Sequence, residues 1–202
     1  MDEPPLLSLI QLRRLETLWI EEGAPLVEHL RPGVARGELE RLLGPLDVRL
    51  PTEARLWWEW HDGVPSGQPR DMGGAAFFFL TLADAVDQYQ ASRCIATTAA
   101  VSDEERLRLW DPCWFPISIT GYGGVITCDC SAPDGAPTPI RLIDWGHNEQ
   151  SNVPVARSFG EMVAWWIDAI ERGAWRYDSD LECWELDRGK LANPNLELTR
   201  LV

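Results

Sequence analysis

A chain of 202 residues, 45% hydrophobic and 25% charged, has an ordinary globular composition and can bury a full core as one domain, or at most two small ones. Its formal charge of −14 repels phosphate backbones and anionic lipid, which argues against nucleic acid or membrane as main ligand and suits a basic protein partner. Solubility alone accounts for such a charge equally well. No stretch reaches the roughly 20 apolar residues that span a bilayer. The opening MDEPPLLSLIQLRR sets acids before a short apolar run, the reverse of a secretory leader, so a cytoplasmic location is expected. Five scattered cysteines, Cys94, Cys113, Cys128, Cys130 and Cys183, make an odd set that fits reduced thiols better than a disulfide framework.

In chain order, Leu6, Leu9, Ile10, Leu12, Leu15, Leu18 and Trp19 recur at helical spacing and predict an N-terminal helix over residues 5–22, closed by Gly23 and Pro25. A short helix follows over Arg36–Leu43, stopped by Gly44 and Pro45. Leu50-Pro51-Thr52-Glu53 opens the next, with Pro and an acid favouring the first turn. Ala54, Trp57, Trp58 and His61 fall on one side of it, and Gly63 reads as its C-terminal stop. Residues 64–75 are a Gly/Pro loop, and residues 76–80 a buried strand. Thr81 caps a helix running to about Cys94, and Ser102 with Glu105 opens a short one ending before Asp111-Pro112.

Residues 114–120, 125–130 and 140–145 read as three antiparallel strands. The first turn is Gly121-Tyr122-Gly123-Gly124, and residues 133–139 form the second. Ser158 and Glu161 form a capping box for a helix whose Phe159, Met162, Val163, Trp166, Ile167 and Ile170 share a face. Arg172-Gly173 ends it. No repeat or low-complexity tract is present. The whole predicts a single α+β domain over residues 1–202, with helices before and after an antiparallel sheet that packs on the last helix.

This order of motifs resembles the SUKH superfamily. The residues that carry the likeness are Leu50-Pro51, residues 56–60 ending at Trp60, and Asp62-Gly63, followed by Trp110-Asp111-Pro112 and Trp114-Phe115-Pro116-Ile117. A Gly-rich turn ending at Gly124, Asp129 in the second strand, and Val155-Ala156-Arg157-Ser158-Phe159 complete it. The likeness covers about residues 38–172, leaving residues 174–202 as an acidic extension. It implies a SUKH-like fold and a non-enzymatic protein-binding module. Members include bacterial immunity proteins that neutralise a toxin by masking it and fungal regulators of cell-wall assembly, and either role fits the resemblance.

Other readings of the same residues compete. Trp57, Trp58 and Trp60, like Trp165 and Trp166, are too close in sequence for all to face one core. Most of the eleven tryptophans should be packing residues and the rest exposed anchors. His61 beside Asp62 can be read as a general base with an orienting carboxylate, and His61 or His147 would serve a small hydrolase. A His at a helix end, with no nucleophile motif in the chain, is the plainer reading. Cys128, Cys130, His147 and Glu149 contain one C-x-C pair, a poor match to zinc spacing, so no metal or cofactor is expected. Alternation in residues 126–130 sends Ile126, Cys128 and Cys130 to the core as inert thiols. The glycine turn lacks phosphate-loop spacing. In the extension, Asp178, Asp180, Glu182, Trp184 and Glu185 interleave acids with an aromatic. They would either dock a basic partner, such as a toxin domain, or cover a sheet edge. The oligomeric state is left open by these patterns.

Overall fold

Four of the six α-helices among the described residues begin where a side chain takes up a free backbone donor. The computed structural model describes residues 3–73, 77–121, 123–144 and 154–192. Helix α1 (Leu9–Glu21) starts at Ser8, whose Oγ accepts from the Gln11 N–H while the Gln11 side chain accepts from the Ser8 N–H. The expected helix therefore loses its first turn. Residues 5–7 instead cross the last helix, where a Cβ on Gly160 would lie 2.4 Å from the Leu6 carbonyl carbon. As a result Leu12, Leu15, Leu18 and Trp19 enter the core, while Leu6, Leu9 and Ile10 of the predicted stripe stay exposed. Helices α2 (Arg36–Leu43) and α3 (Thr52–Trp60, with Pro51 at its N-cap) lie where expected. Thr81 caps α4, which runs past Cys94 (Leu82–Ala99), and Ser102 caps α5 (Asp103–Leu109). Helix α6 (Phe159–Glu171) opens at Ser158, whose Oγ accepts from Glu161 and donates to Pro5.

The sheet has five antiparallel strands in simple order: β1 (Phe77–Phe79), β2 (Trp114–Thr120), β3 (Val125–Asp129), β4 (Ile140–Ile143) and β5 (Pro154–Ala156). At three residues, β5 is too short to carry a period, so pattern reading missed it. Pro116 sits beside a register shift in β2, where the lack of an N–H is tolerated. Gly124 closes the β2–β3 turn through bonds with Thr120. Tyr122 and Trp145 fall outside the described residues. Val125, Ile126, Thr127 and Cys128 are all buried, so β3 is not the half-exposed strand its alternation suggested. Downstream, β6 (Trp175–Asp178) and β7 (Cys183–Leu186) form a separate hairpin.

The core is built on aromatic rings around α3. Trp57 meets Phe79 at 4.5 Å and Phe159 at 5.1 Å between centroids, while its neighbour Trp58 meets Phe115 at 5.6 Å. Adjacent residues diverge by about 100° on a helix, so both are buried only because α3 has core on two sides. The same holds for α6, where Trp165 packs edge-on to Trp175 and Trp166 lies against Phe77. The expectation that such neighbours cannot share a core is thereby corrected. Nine tryptophans are buried, and Trp60 is half-buried against Trp19 and Phe79. Trp145 is undescribed, and the other ten supply no freely exposed anchor.

One carboxylate joins the layers. Glu53, read from sequence as a first-turn acid favouring the helix dipole, is 3% exposed. Its Oε1 accepts from the N–H groups of Leu7 (2.7 Å) and Gly160 (2.9 Å), and its Oε2 from Thr138 (2.6 Å). The N-terminal segment, α6 and the β3–β4 loop thus meet at a single side chain. Hydrogen bonds to charged groups contribute more than neutral ones, and an amide at this position would present a donor to donors. Glu53→Gln should lower the unfolding free energy by about 2–4 kcal/mol, measured by urea denaturation. A loss within ~0.5 kcal/mol, the range of a surface substitution, would mean the three bonds are dispensable.

Candidate functional site

The His61-Asp62-Gly63 motif is structural in its geometry. His61 is the C-cap of α3 in extended backbone and bridges to Pro32. Its Nδ1 lies 3.0 Å from the Arg31 carbonyl oxygen and its Nε2 3.5 Å from a Glu16 carboxylate oxygen that also accepts from the Trp60 indole. Asp62 is turned elsewhere: Oδ1 accepts from the Leu82 N–H at 2.8 Å, and Oδ2 pairs with Arg31 at 3.2 Å. Burial pushes its carboxyl above the usual value, opposed by the Leu82 bond and Arg31. Asp62 therefore anchors the start of α4 instead of orienting His61. Gly63 is not the helix stop expected of it. It has φ +61° and lies so close to β1's exit that a Cβ would come within 2.2 Å of the Leu80 carbonyl oxygen.

The remaining family-pattern residues are likewise packing or joining positions. Leu50 is 2% exposed, Pro51 is buried at the start of α3, and Phe159 lies in the aromatic core. Trp114 pairs across strands with Asp129, and Arg141 stacks over the Trp114 ring while meeting Asp129 at 3.5 Å. Cys128 is buried with its Sγ 4.0 Å from that of half-buried Cys130; burial, then Cys130, holds the Cys128 thiol well above its usual pKa. His147 and Glu149 lie outside the described residues. Among the described residues no group of three or more His, Cys, Asp or Glu is placed to hold a metal.

The acidic residues singled out in the extension belong to the β6–β7 hairpin and divide by role. Trp175, Tyr177, Trp184 and Leu186 occupy its paired positions on one face, and Tyr177 meets Trp184 edge-on at 5.7 Å. Trp184 is 7% exposed and its indole donates to the Asp71 carbonyl, so of the two roles open to it, docking anchor or cover, it is a packing residue. Asp178 Oδ1 accepts from the N–H groups of Asp180 and Leu181, which shapes the tip. Asp180 and Glu182 remain exposed on either side of Leu181, itself 66% exposed, and Glu185 is exposed on β7 opposite Arg176. The hairpin is no passive appendage: Trp175 is fully buried, and the Tyr177 N–H donates to Glu22.

A second surface feature escaped pattern reading. A cleft of about 610 Å³ runs between α2 and the start of α3, with Leu39, Leu43 and Leu50 in its floor and Arg49, Arg55 and Asp134 on its wall. Its residues come from four separate stretches, with no spacing to link them. The Pro133-Asp134-Gly135 turn was legible only as a turn.

Beneath the hairpin, Asp71 accepts from the Gly73 N–H, and burial pushes its carboxyl up to about 7 against that bond. A carboxyl raised in the folded state stabilises the fold fully below its unfolded value near 3.8 and loses that contribution as pH climbs towards 7. Asp71→Asn keeps an acceptor for Gly73 without the charge. It should stabilise the protein by roughly 1–2 kcal/mol at alkaline pH, discounted for partial exposure, with the gain vanishing towards pH 4. Melting curves across that range test this, and a pH-independent difference would locate the effect elsewhere.

No curated protein matches the chain. The profile of the SMI1 / KNR4 family (SUKH-1) matches residues 33–165, from just before α2 into α6. This superfamily includes toxin immunity proteins and cell-wall regulators and is generally non-catalytic. Among the described residues no helix is long and apolar enough to cross a membrane. The match spans more than half of the sequence, and with the α+β architecture around it the chain belongs to the SMI1 / KNR4 family (SUKH-1).

Proposed function

We propose that the chain is a non-enzymatic binding module, an immunity protein that masks a cognate bacterial toxin in the cytoplasm. Family membership supplies the class, since the superfamily includes such proteins. The observation that supports the choice of surface is the β6–β7 hairpin tip, where Asp180 and Glu182 flank exposed Leu181 on a base of buried rings. A firmly held base costs little ordering on binding, and like charges around an apolar contact steer a basic partner into register. The net charge of −14 acts in the same direction at longer range. His61 and Asp62 support the non-catalytic side of the reading, because both are engaged in holding backbone segments together.

The test takes as candidate partner the variable C-terminal toxin domain of a large secreted chain, sought among the genes adjacent to this one. Co-expression should protect cells, and the purified domain should bind with an association rate that falls about tenfold or more between low and roughly 0.5 M salt. Asp180→Lys with Glu182→Lys should slow association at low salt by about the same factor while leaving the melting temperature unchanged. Asp178 is a poor choice for reversal, because its loss would also undo the tip. An association rate indifferent to both salt and these changes would remove the hairpin as the steering surface. A toxin domain that neither binds nor is neutralised would remove the immunity reading itself.

A further inference from the structure

The α2–α3 cleft has the volume of sites that hold small ligands or peptide side chains, and its chemistry is opposite to that of the hairpin. Two guanidiniums converge there on one carboxylate. Asp134, at the turn between β3 and β4, meets Arg49 on Oδ2 at 2.5 Å and Arg55 on Oδ1 at 3.2 Å. Arg55 is held before any ligand arrives, donating to the Leu50 carbonyl at 2.9 Å and the Thr52 hydroxyl at 3.1 Å. Arg49 is 80% exposed and is fastened at Asp134. Two cations facing one anion leave a positive end to the cleft, in a chain of net charge −14. Elsewhere on the cleft Arg36 is neutralised by Glu40, and Glu59 lies a helical turn beyond Arg55, so the positive character is confined to the Asp134 end. Next to that end lies the aliphatic floor of Leu39, Leu43 and Leu50.

We propose that this cleft binds a peptide segment that presents an acidic side chain beside an aliphatic one. The ligand carboxylate takes the place of Asp134 between Arg49 and Arg55, and the aliphatic side chain covers the leucine floor. Asp134 is then an internal competitor that fills the anion position in the free protein. Planar guanidiniums suit this exchange, because each recognises carboxylate geometry through two parallel donors. The proposal rests on the protein-binding reading only in taking the ligand to be part of a protein. It adds a second surface, which takes acidic segments where the hairpin would take basic ones.

The probe is a capped leucine-aspartate-leucine tripeptide, titrated into the full chain while the Arg55 Nε–H and Gly135 amide resonances are followed. Binding should fall in the roughly millimolar range expected of so small a ligand. The asparagine analogue should bind at least about fivefold more weakly, and Arg49→Gln should weaken the acidic peptide by a similar factor. Asp134→Asn should tighten it about threefold or more, since the competitor is gone. Tightening separates competition from a strut: if Asp134 merely positioned the arginines, its loss would weaken the peptide, and that result overturns the proposal. Equal affinity for the asparagine analogue, or no shift of either resonance up to ~20 mM peptide, well above the expected range, overturns it too. Toxin binding measured on the same samples keeps the readings apart. A silent peptide with intact toxin binding refutes the cleft alone, and lost toxin binding in the parent chain refutes the immunity role.

Discussion

Glu53 is the joint on which the other contacts depend. A carboxylate taken out of water costs several kcal/mol unless its lone pairs are matched, and here three backbone N–H groups from distant parts of the chain match them. Two of those donors, Leu7 and Gly160, lie where the N-terminal segment crosses α6, and the third holds the β3–β4 loop against α3. The bond to Gly160 also caps α6 from another helix, since the second residue of a helix has no intrahelical acceptor. Because the partners are main-chain groups, the side chain fixes backbone positions directly.

Outside the family match, α1 and the hairpin approach one further segment from different directions. Trp19 donates its indole N–H to the Met72 carbonyl, and Trp184 donates to that of Asp71. The loop before β1 would otherwise leave these carbonyls buried and unmatched. The same stretch exchanges backbone bonds with β1, Met72 donating to Phe77 and Phe79 to Arg70, so it helps to place β1. Residues 1–32 and 166–202, which lie beyond the match, therefore complete the core in their described parts. Such added pieces raise the buried fraction, which matters most in small domains.

What could be read from the sequence follows from the range of each interaction. Helix starts at Ser102 and Ser158 were legible because a cap and its partner lie within three residues, and α2 and α3 were legible through their breakers and periodicity. The three principal strands were bounded by turn residues and were found on that ground. The roles of Glu53, Gly63 and Gly160 were not legible locally, since they depend on segments 17 to 155 positions away. Local rules assigned Glu53 to the dipole and Gly63 to a helix end, each a sound prior that a distant contact overrode. The apolar stripe of α1 failed differently: the cap at Ser8 left Leu6 ahead of the helix, and Leu9 and Ile10, though helical, stay exposed while Leu12, Leu15, Leu18 and Trp19 are buried. The acidic residues around Trp184 left docking and edge-covering both open. In a hairpin, alternation puts an aromatic and its acidic neighbours on opposite faces.

That alternation bears on how such a chain can present charge without losing stability. Acids gathered on a flexible tail would repel one another and bind only after ordering, at an entropic cost. Here the inward rings of β6 and β7 anchor the hairpin, and the outward positions carry Arg176 opposite Glu185, so part of the repulsion is offset within the pair. The residual negative charge collects at the tip, where Asp178 is committed to the turn and Asp180 and Glu182 are free to face a partner. The Arg49–Arg55 end of the cleft reverses this logic, with positive charge held in place by one internal acid. A partner whose surface carried both a basic patch and an acidic segment would gain from engaging the two together, because the second contact forms at the high effective concentration set by the first.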